Sequence, residues 1–242
     1  MAALFFIVAL LYSSVGFGGG SSYIALLLLA SVPVAEVRFI ALSCNIIVVS
    51  VGVYHFHRQD AIAWTKVMPI VSTSVPLAFI GGMVQLSTQH FKLAAAILLV
   101  IAASLMLKNM SRVHYQRSLS APALAITGGA LGFGSGIIGI GGGIFLAPLL
   151  HLFRWHSVRG IAATASVFIL FNSIAGLLGQ MWGGVTIPIH ETIVLGGAVA
   201  MGGIAGSYVH SSLLSTKMIK ILTAVLVGYV GVRILLLYLT HQ

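Results

Sequence analysis

Carboxylates are the scarcest groups in this sequence: Glu36, Asp60 and Glu191 are the only acidic residues among 242. A metal centre built from several carboxylates, or a glycosidase-like acid pair, therefore has almost nothing to be made from. Cys44 is the single cysteine, which excludes an intrachain disulfide and any CxxC chemistry. Beside Asn45 it reads as a small core residue. Charge of either sign is thin, at 6% of residues against about 25% in an average soluble domain. With 59% of residues hydrophobic, the chain reads as an all-α protein of the lipid bilayer, with membrane lipid as its surroundings.

The net charge of +9 would suggest nucleic acid in a soluble protein. Here the twelve Lys and Arg fall at the ends of apolar stretches, which suits the positive-inside rule better than a basic binding face, so no nucleic-acid partner is expected. The opening "MAALFFIVALLYSSVGFGGG" has no Lys or Arg before its apolar run and no A-x-A-like cleavage site. It is expected to belong to the mature fold and not to a signal peptide.

Eight apolar stretches cover roughly residues 2–31, 37–56, 63–86, 91–107, 121–152, 158–181, 186–209 and 218–239. Six have the length of a single membrane span, about 20 residues. The first and fifth are longer, and both are interrupted by glycine. They also resemble each other: "VGFGGGSSYIALLLL" (15–29) matches "IGIGGGIFLAPLLHL" (138–152), and the same offset sets Ser43 opposite Ser166 and Ser50 opposite Ser173. Further on, "STQHFK" (87–92) matches "STKMIK" (215–220). The chain reads as a tandem duplication, with a first repeat at 1–107, an inter-repeat loop at 108–120 and a second repeat at 121–242 in one transmembrane domain.

Counting cations tests two topologies. If all eight stretches cross, six Lys and Arg fall on each side. If the two glycine-broken stretches dip in and return, Arg58, Lys66, Lys108, Arg112, Arg117, Arg154, Arg159, Lys217 and Lys220 share one side, leaving Arg38, Lys92 and Arg233 opposite. The second arrangement has the bias of an oriented membrane protein. Half of a 30-residue stretch also makes only about 22 Å of helix, short of a hydrocarbon core of about 30 Å. Each repeat is then a re-entrant hairpin plus three spanning helices. Three crossings per repeat invert the second copy, as in many secondary transporters. Eight crossings with weak bias is the alternative.

Backbone N–H groups released by a helix break cannot face lipid. A half-helix starting at the glycines would offer such donors, with a partial positive charge, to an anion. Hydroxyls stand close by: Ser13, Ser14, Ser21 and Ser22 around the first run, Ser135 before the second. Asn45 and Asn172 lie inside predicted spans, each near a polar neighbour, Ser43 or Ser173, and should face the bundle interior. The competing role for the glycines is close helix packing, since "GFGSG" (132–136) and "GIGGG" (139–143) both contain GxxxG. The expected substrate-binding set is Ser13, Ser14, Gly18, Gly19, Gly20, Ser21, Asn45, Ser135, Gly139, Gly141, Gly142, Gly143, Ser166 and Asn172, with no catalytic residue, metal or cofactor.

Other motifs do not hold. "GSGIIG" (134–139) fits GxGxxG but has no strand before it and no acid about 20 residues on. A nucleophile elbow would need glycines where Phe133 and Ile137 stand. The nine histidines map to predicted helix ends or loops, away from any core serine, which argues against an intramembrane Ser–His hydrolase. Trp64, Trp155 and Trp182 read as interfacial anchors.

The two motifs "GIGGGIFLAPLL" (139–150) and "GFGGGSSYIALLLL" (16–29), in a duplicated all-helical chain of this length, resemble the TauE/SafE family, the sulfite exporters and toluenesulfonate uptake permeases. The matched positions are Gly16, Gly18, Gly19, Gly20, Gly139, Gly141, Gly142, Gly143 and Pro148; the first copy departs in having Ala25 where the second has Pro148. The resemblance implies a permease of a bacterial inner (plasma) membrane that moves sulfite or an organosulfonate, with Lys/Arg-rich loops cytoplasmic. A channel-like pore for a small anion or neutral solute is the alternative function. No carboxylate lies in mid-span, so either transport is uniport or a proton travels on the substrate. Substrate identity, direction and homo-oligomer formation are left open.

Overall fold

The structure, a computed structural model, describes residues 1–14, 18–107, 120–153, 155–208 and 216–240. Gly16, most of the inter-repeat loop with Lys108, Arg112, His114 and Arg117, and also Arg154, His210 and His241, lie outside the described residues. So do Ser215 of the STKMIK match and the side chains of Lys217 and Lys220.

Among the described residues there are helices and no strands. In chain order they are α1 (Ala2–Ser13), α2 (Gly20–Leu29), α3 (Val34–Arg58), α4 (Trp64–Met83), α5 (Thr88–Leu107), α6 (Ala121–Ile138), α7 (Gly143–Leu152), α8 (Val158–Trp182), α9 (Ile189–Tyr208) and α10 (Thr216–Thr240). Ser120 and Ser157 cap the starts of α6 and α8, their hydroxyls accepting the amides of Ala123 and Gly160. Such caps satisfy amides that have no partner within the helix.

The first and fifth apolar stretches are each two helices. Seven helices, α3 to α6 and α8 to α10, are long and apolar enough to cross a membrane. The two halves of the fifth stretch are unequal: α6 has 18 residues and α7 has 10. At 1.5 Å per residue α6 is about 27 Å long, beyond the half-helix expected from the sequence. Its length follows from its partner. Along α6, Gly128, Gly132 and Gly136 sit directly on the backbone of α4 at Ile70, Ser74 and Ala78, and a Cβ at Gly132 would come within 2.7 Å of Ser74 Cα. Small residues at four-residue intervals let two helices run together over their length. The packing role therefore holds for "GFGSG".

The helix order falls into two runs of five, and the packing follows it. The first helix of each run lies against the fourth of the other: α6 on α4, and α1 on α9. The α1–α9 contact repeats the glycine device, since Cβ atoms at Gly202 and Gly206 would lie 3.0 Å from Ala9 Cβ and 2.9 Å from Leu10 Cα. Likewise α4 packs on α8 as α9 packs on α3, and α2 meets α10 as α7 meets α5. Helices α3 and α8, the third of each run, cross each other and carry much of the buried core. The breaks between α1 and α2 and between α6 and α7 abut this α3–α8 pair.

The outside of the bundle is apolar: Ile7, Ile80, Ile101, Ile126, Val225 and Leu236 are exposed. Trp64 begins α4 and Trp182 ends α8, both exposed, as membrane-interface anchors are. This is an integral membrane protein.

Candidate anion site at the two helix breaks

The second break is made by backbone conformation. Gly139, Gly141 and Gly142 have φ of 85°, 80° and 78°, a left-handed region costly for any residue with a Cβ. Gly139 caps α6, its amide donating to the Ser135 carbonyl at 2.7 Å, and Gly142 is the N-cap of α7. Three left-handed residues among four stop one helix and start the next.

The first break works differently. Gly19, the N-cap of α2, has φ of −91°, and neither Gly18 nor Gly20 is left-handed. Space is what demands glycine here. A Cβ at Gly18 would lie 2.8 Å from Asn45 Oδ1, and one at Gly20 would overlap Asn45 Nδ2 and the Ile140 carbonyl.

Asn45, on α3, joins the two breaks. It is fully buried, and its Nδ2 donates to the Ile140 carbonyl, between the left-handed Gly139 and Gly141, at 3.0 Å. That bond fixes which end of the carboxamide faces the second break. Oδ1 has no hydrogen-bond partner among the described residues. From α8, Ile169 and Ser173 complete the floor: a Cβ at Gly141 would lie 2.8 Å from Asn45 Nδ2 and 2.9 Å from both Ile169 Cγ2 and Ser173 Oγ. Ile169 also backs Gly18 and Gly143. Ser173 is fully buried and its hydroxyl has no partner among the described residues.

Both short helices point their N-termini at this place. In α2 the Tyr23 amide is the first to reach an intrahelical acceptor, the Gly19 carbonyl; in α7 it is the Phe145 amide, on the Gly142 carbonyl. The amides before them are the free donors of a helix start, where the dipole is positive. The opposite dipole end is also near, because α6 terminates at the second break. Two carbonyls there are occupied: Arg38 donates to that of Gly136 at 3.0 Å, and Asn45 to that of Ile140, just past the end of α6.

The expected residues divide into two groups. Gly18, Gly20, Gly141 and Gly143 come together around Asn45 and Ile169, while Gly139 lies against Arg38 and Gly142 against Phe168 and Ser135. Gly19 turns instead toward Tyr23 and Val8. Ser13 donates to the Gly203 carbonyl of α9 at 2.7 Å, Ser14 to the Leu11 carbonyl, and Ser166 to the Ala162 carbonyl one turn back in α8. Ser21 is buried at the start of α2. Asn172 is buried on α8, one turn beyond Phe168, and neither end of its carboxamide has a partner among the described residues.

Three residues outside the expected set belong to the neighbourhood. Ser173, matched to Ser50 by the repeat offset, faces Gly141. Gln180 is fully buried with both carboxamide atoms unpartnered; Asn172, Gly176 and Gln180 stand four residues apart on one face of α8. Arg38, which the sequence puts at a helix end, is only 5% exposed. A lone arginine one turn inside an apolar span was the signal available for it.

The chain matches the family model described as sulfite exporter TauE/SafE over residues 1–234. It is also 31% identical over 242 residues to a protein of Sinorhizobium fredii (strain NBRC 101917 / NGR234) named "Probable membrane transporter protein y4hK", covering 97% of each chain. No solved structure matches it. The fold and the comparisons define a polytopic membrane transporter. It belongs to the TauE/SafE family.

Proposed function

We propose that this chain is a secondary transporter of a small sulfur-containing anion, sulfite or an organosulfonate, held between the two glycine breaks. The supporting observation is the meeting of both breaks on Asn45. Two helix N-termini, the second Nδ2 hydrogen of Asn45 and the Ser173 hydroxyl can donate here, and the nearby Gly136 and Ile140 carbonyls are engaged, while Asn45 Oδ1 is an acceptor without a partner among the described residues. A tetrahedral or pyramidal oxyanion needs such a converging set.

The ends of Asn45, Ile169 and Phe168 now fill the space against the glycines, so the arrangement is closed. Loading requires those side chains to move away from the breaks. Residues 1–107 and 121–242 form the two repeats, oppositely oriented in the bilayer, and rocking of one against the other exposes the site to each side in turn. The Lys/Arg-rich loops lie in the cytoplasm and the membrane is the bacterial inner membrane.

The test is uptake of radiolabelled sulfite, and of a sulfonate panel, into proteoliposomes with and without a pH gradient. Saturable sulfite or sulfonate flux is expected. Movement of sulfur-free solutes alone would overturn the substrate class.

A further inference from the structure

Arg38 is the only charged residue among the buried ones described. Its guanidinium lies where α4 and α6 end. Nη1 donates to the Val84 carbonyl at 2.9 Å, and Nη2 to the carbonyls of Gly82 and Gly136 at 3.0 Å, with Gly81 at 3.4 Å. All these carbonyls belong to the last turns of α4 and α6 or directly follow them. They stand at the partially negative C-terminal ends of two helix dipoles and solvate the cation, without supplying a formal countercharge.

No carboxylate among the described residues pairs with Arg38. Glu36 is two positions earlier on α3 and faces elsewhere, since residues i and i+2 do not meet on a helix. It lines a cavity of about 390 Å³ together with His190 and Glu191. Nε of Arg38 is buried without a partner among the described residues. The cation is thus solvated by helix C-termini but has no carboxylate partner among the described residues, so the bundle keeps a net positive charge that an anion would offset.

Arg38 is also attached to the second break. A Cβ at Gly139 would lie 3.1 Å from Arg38 Cα, and the Gly136 carbonyl it holds is adjacent in sequence to Ser135, which packs on Gly142. Two unpartnered buried carboxamides, Asn172 and Gln180, flank the same seam one turn either side of Gly176. Gly176 packs there against Gly82 and Gly136.

We infer that Arg38 is a specificity-determining residue whose charge selects an anion over a neutral solute of the same shape at the glycine breaks. The inference rests on the site proposed above. Arg38 acts through space, as the field source that makes the bound guest's negative charge favourable. A unit charge near the site, at an effective dielectric constant of about 20, is worth on the order of a tenfold preference.

The experiment is competition with radiolabelled sulfite uptake in proteoliposomes by methanesulfonate and by methanesulfonamide, which differ in charge and little in size. The native protein should prefer methanesulfonate. Arg38→Gln should lose about tenfold of that preference, while Arg38→Lys, which keeps the charge, should retain it even with a lowered maximal rate. A native ratio in Arg38→Gln, or a collapsed ratio in folded Arg38→Lys, overturns the inference and leaves Arg38 a backbone clip. If Arg38→Gln does not fold, Arg38→Met, also uncharged, takes its place by the same criterion. Gly141→Val is measured in parallel: its normal transport would refute the site itself, whereas loss there with an unchanged ratio in Arg38→Gln refutes only the role of Arg38.

Discussion

Asn45 and Ile140 are 95 positions apart in the chain, yet the Asn45 carboxamide donates to the Ile140 carbonyl at 3.0 Å. That bond ties a helix of the first run to the break of the second. The same side chain presses on Gly18 and Gly20 of the first break, so one buried amide registers both.

Asn45→Ala should therefore affect both stability and transport. It leaves the Ile140 carbonyl buried without a donor, at a cost of about 1–3 kcal/mol. A lower thermal midpoint in detergent and loss of sulfite uptake are expected. Retained uptake in a folded Asn45→Ala protein would remove the carboxamide from the site.

Gly142 is left-handed, with φ of 78°, and a Cβ there would lie 2.8 Å from Phe168 Cε1. Gly142→Ala should cost about 1–2 kcal/mol from backbone conformation alone. Gly142→Leu should abolish transport while the protein still inserts in the membrane. Uptake assays alongside membrane fractionation check this; a Leu variant that transports normally would move the site elsewhere.

The glycines of α6 have a different duty. Gly132→Val would push a side chain into the backbone of Ser74, and such overpacking costs about 1–3 kcal/mol. Folded yield should fall. Gly134 is on the same helix with nothing within 4 Å of a built Cβ, so Gly134→Ala should be neutral or slightly stabilising, by up to about 1 kcal/mol. Equal damage from both would contradict the α4–α6 seam.

Much of this was readable before any fold was known. Glycine clusters interrupting two apolar stretches marked both breaks, the second because the φ values of Gly139, Gly141 and Gly142 are costly for a residue with a Cβ, the first because Gly18 and Gly20 leave room for Asn45. Matched motifs led to the expectation of a duplicated chain. What sequence could not supply was which helices meet. Ser13 lies beside the first glycine run in sequence, but its hydroxyl goes to Gly203 on α9. Arg38 resembled an interfacial cation because its span begins only four residues earlier, at Val34; the ends of α4 and α6 that enclose it are distant in the chain. The repeat offset matched both Ser166 and Ser173, but the expected set held only Ser166; the facing of α8 brings Ser173 to Gly141 and turns Ser166 onto its own helix.

Ser173 gives the most discriminating case. Its hydroxyl is fully buried and unpartnered, so it contributes nothing to stability through hydrogen bonding and pays for its desolvation. Ser173→Ala should leave the thermal midpoint unchanged or raise it, because removing an unsatisfied polar group relieves that penalty. Most substitutions that lower activity in a buried site also lower stability, so the two readouts should move in opposite directions here. A hydrogen bond to a charged group is worth about 1.5–3 kcal/mol, which sets the expected rise in KM for sulfite at roughly tenfold or more. An unchanged KM with a raised midpoint would mean that the hydroxyl meets no substrate oxygen. A lowered midpoint would mean that it has a partner within the protein.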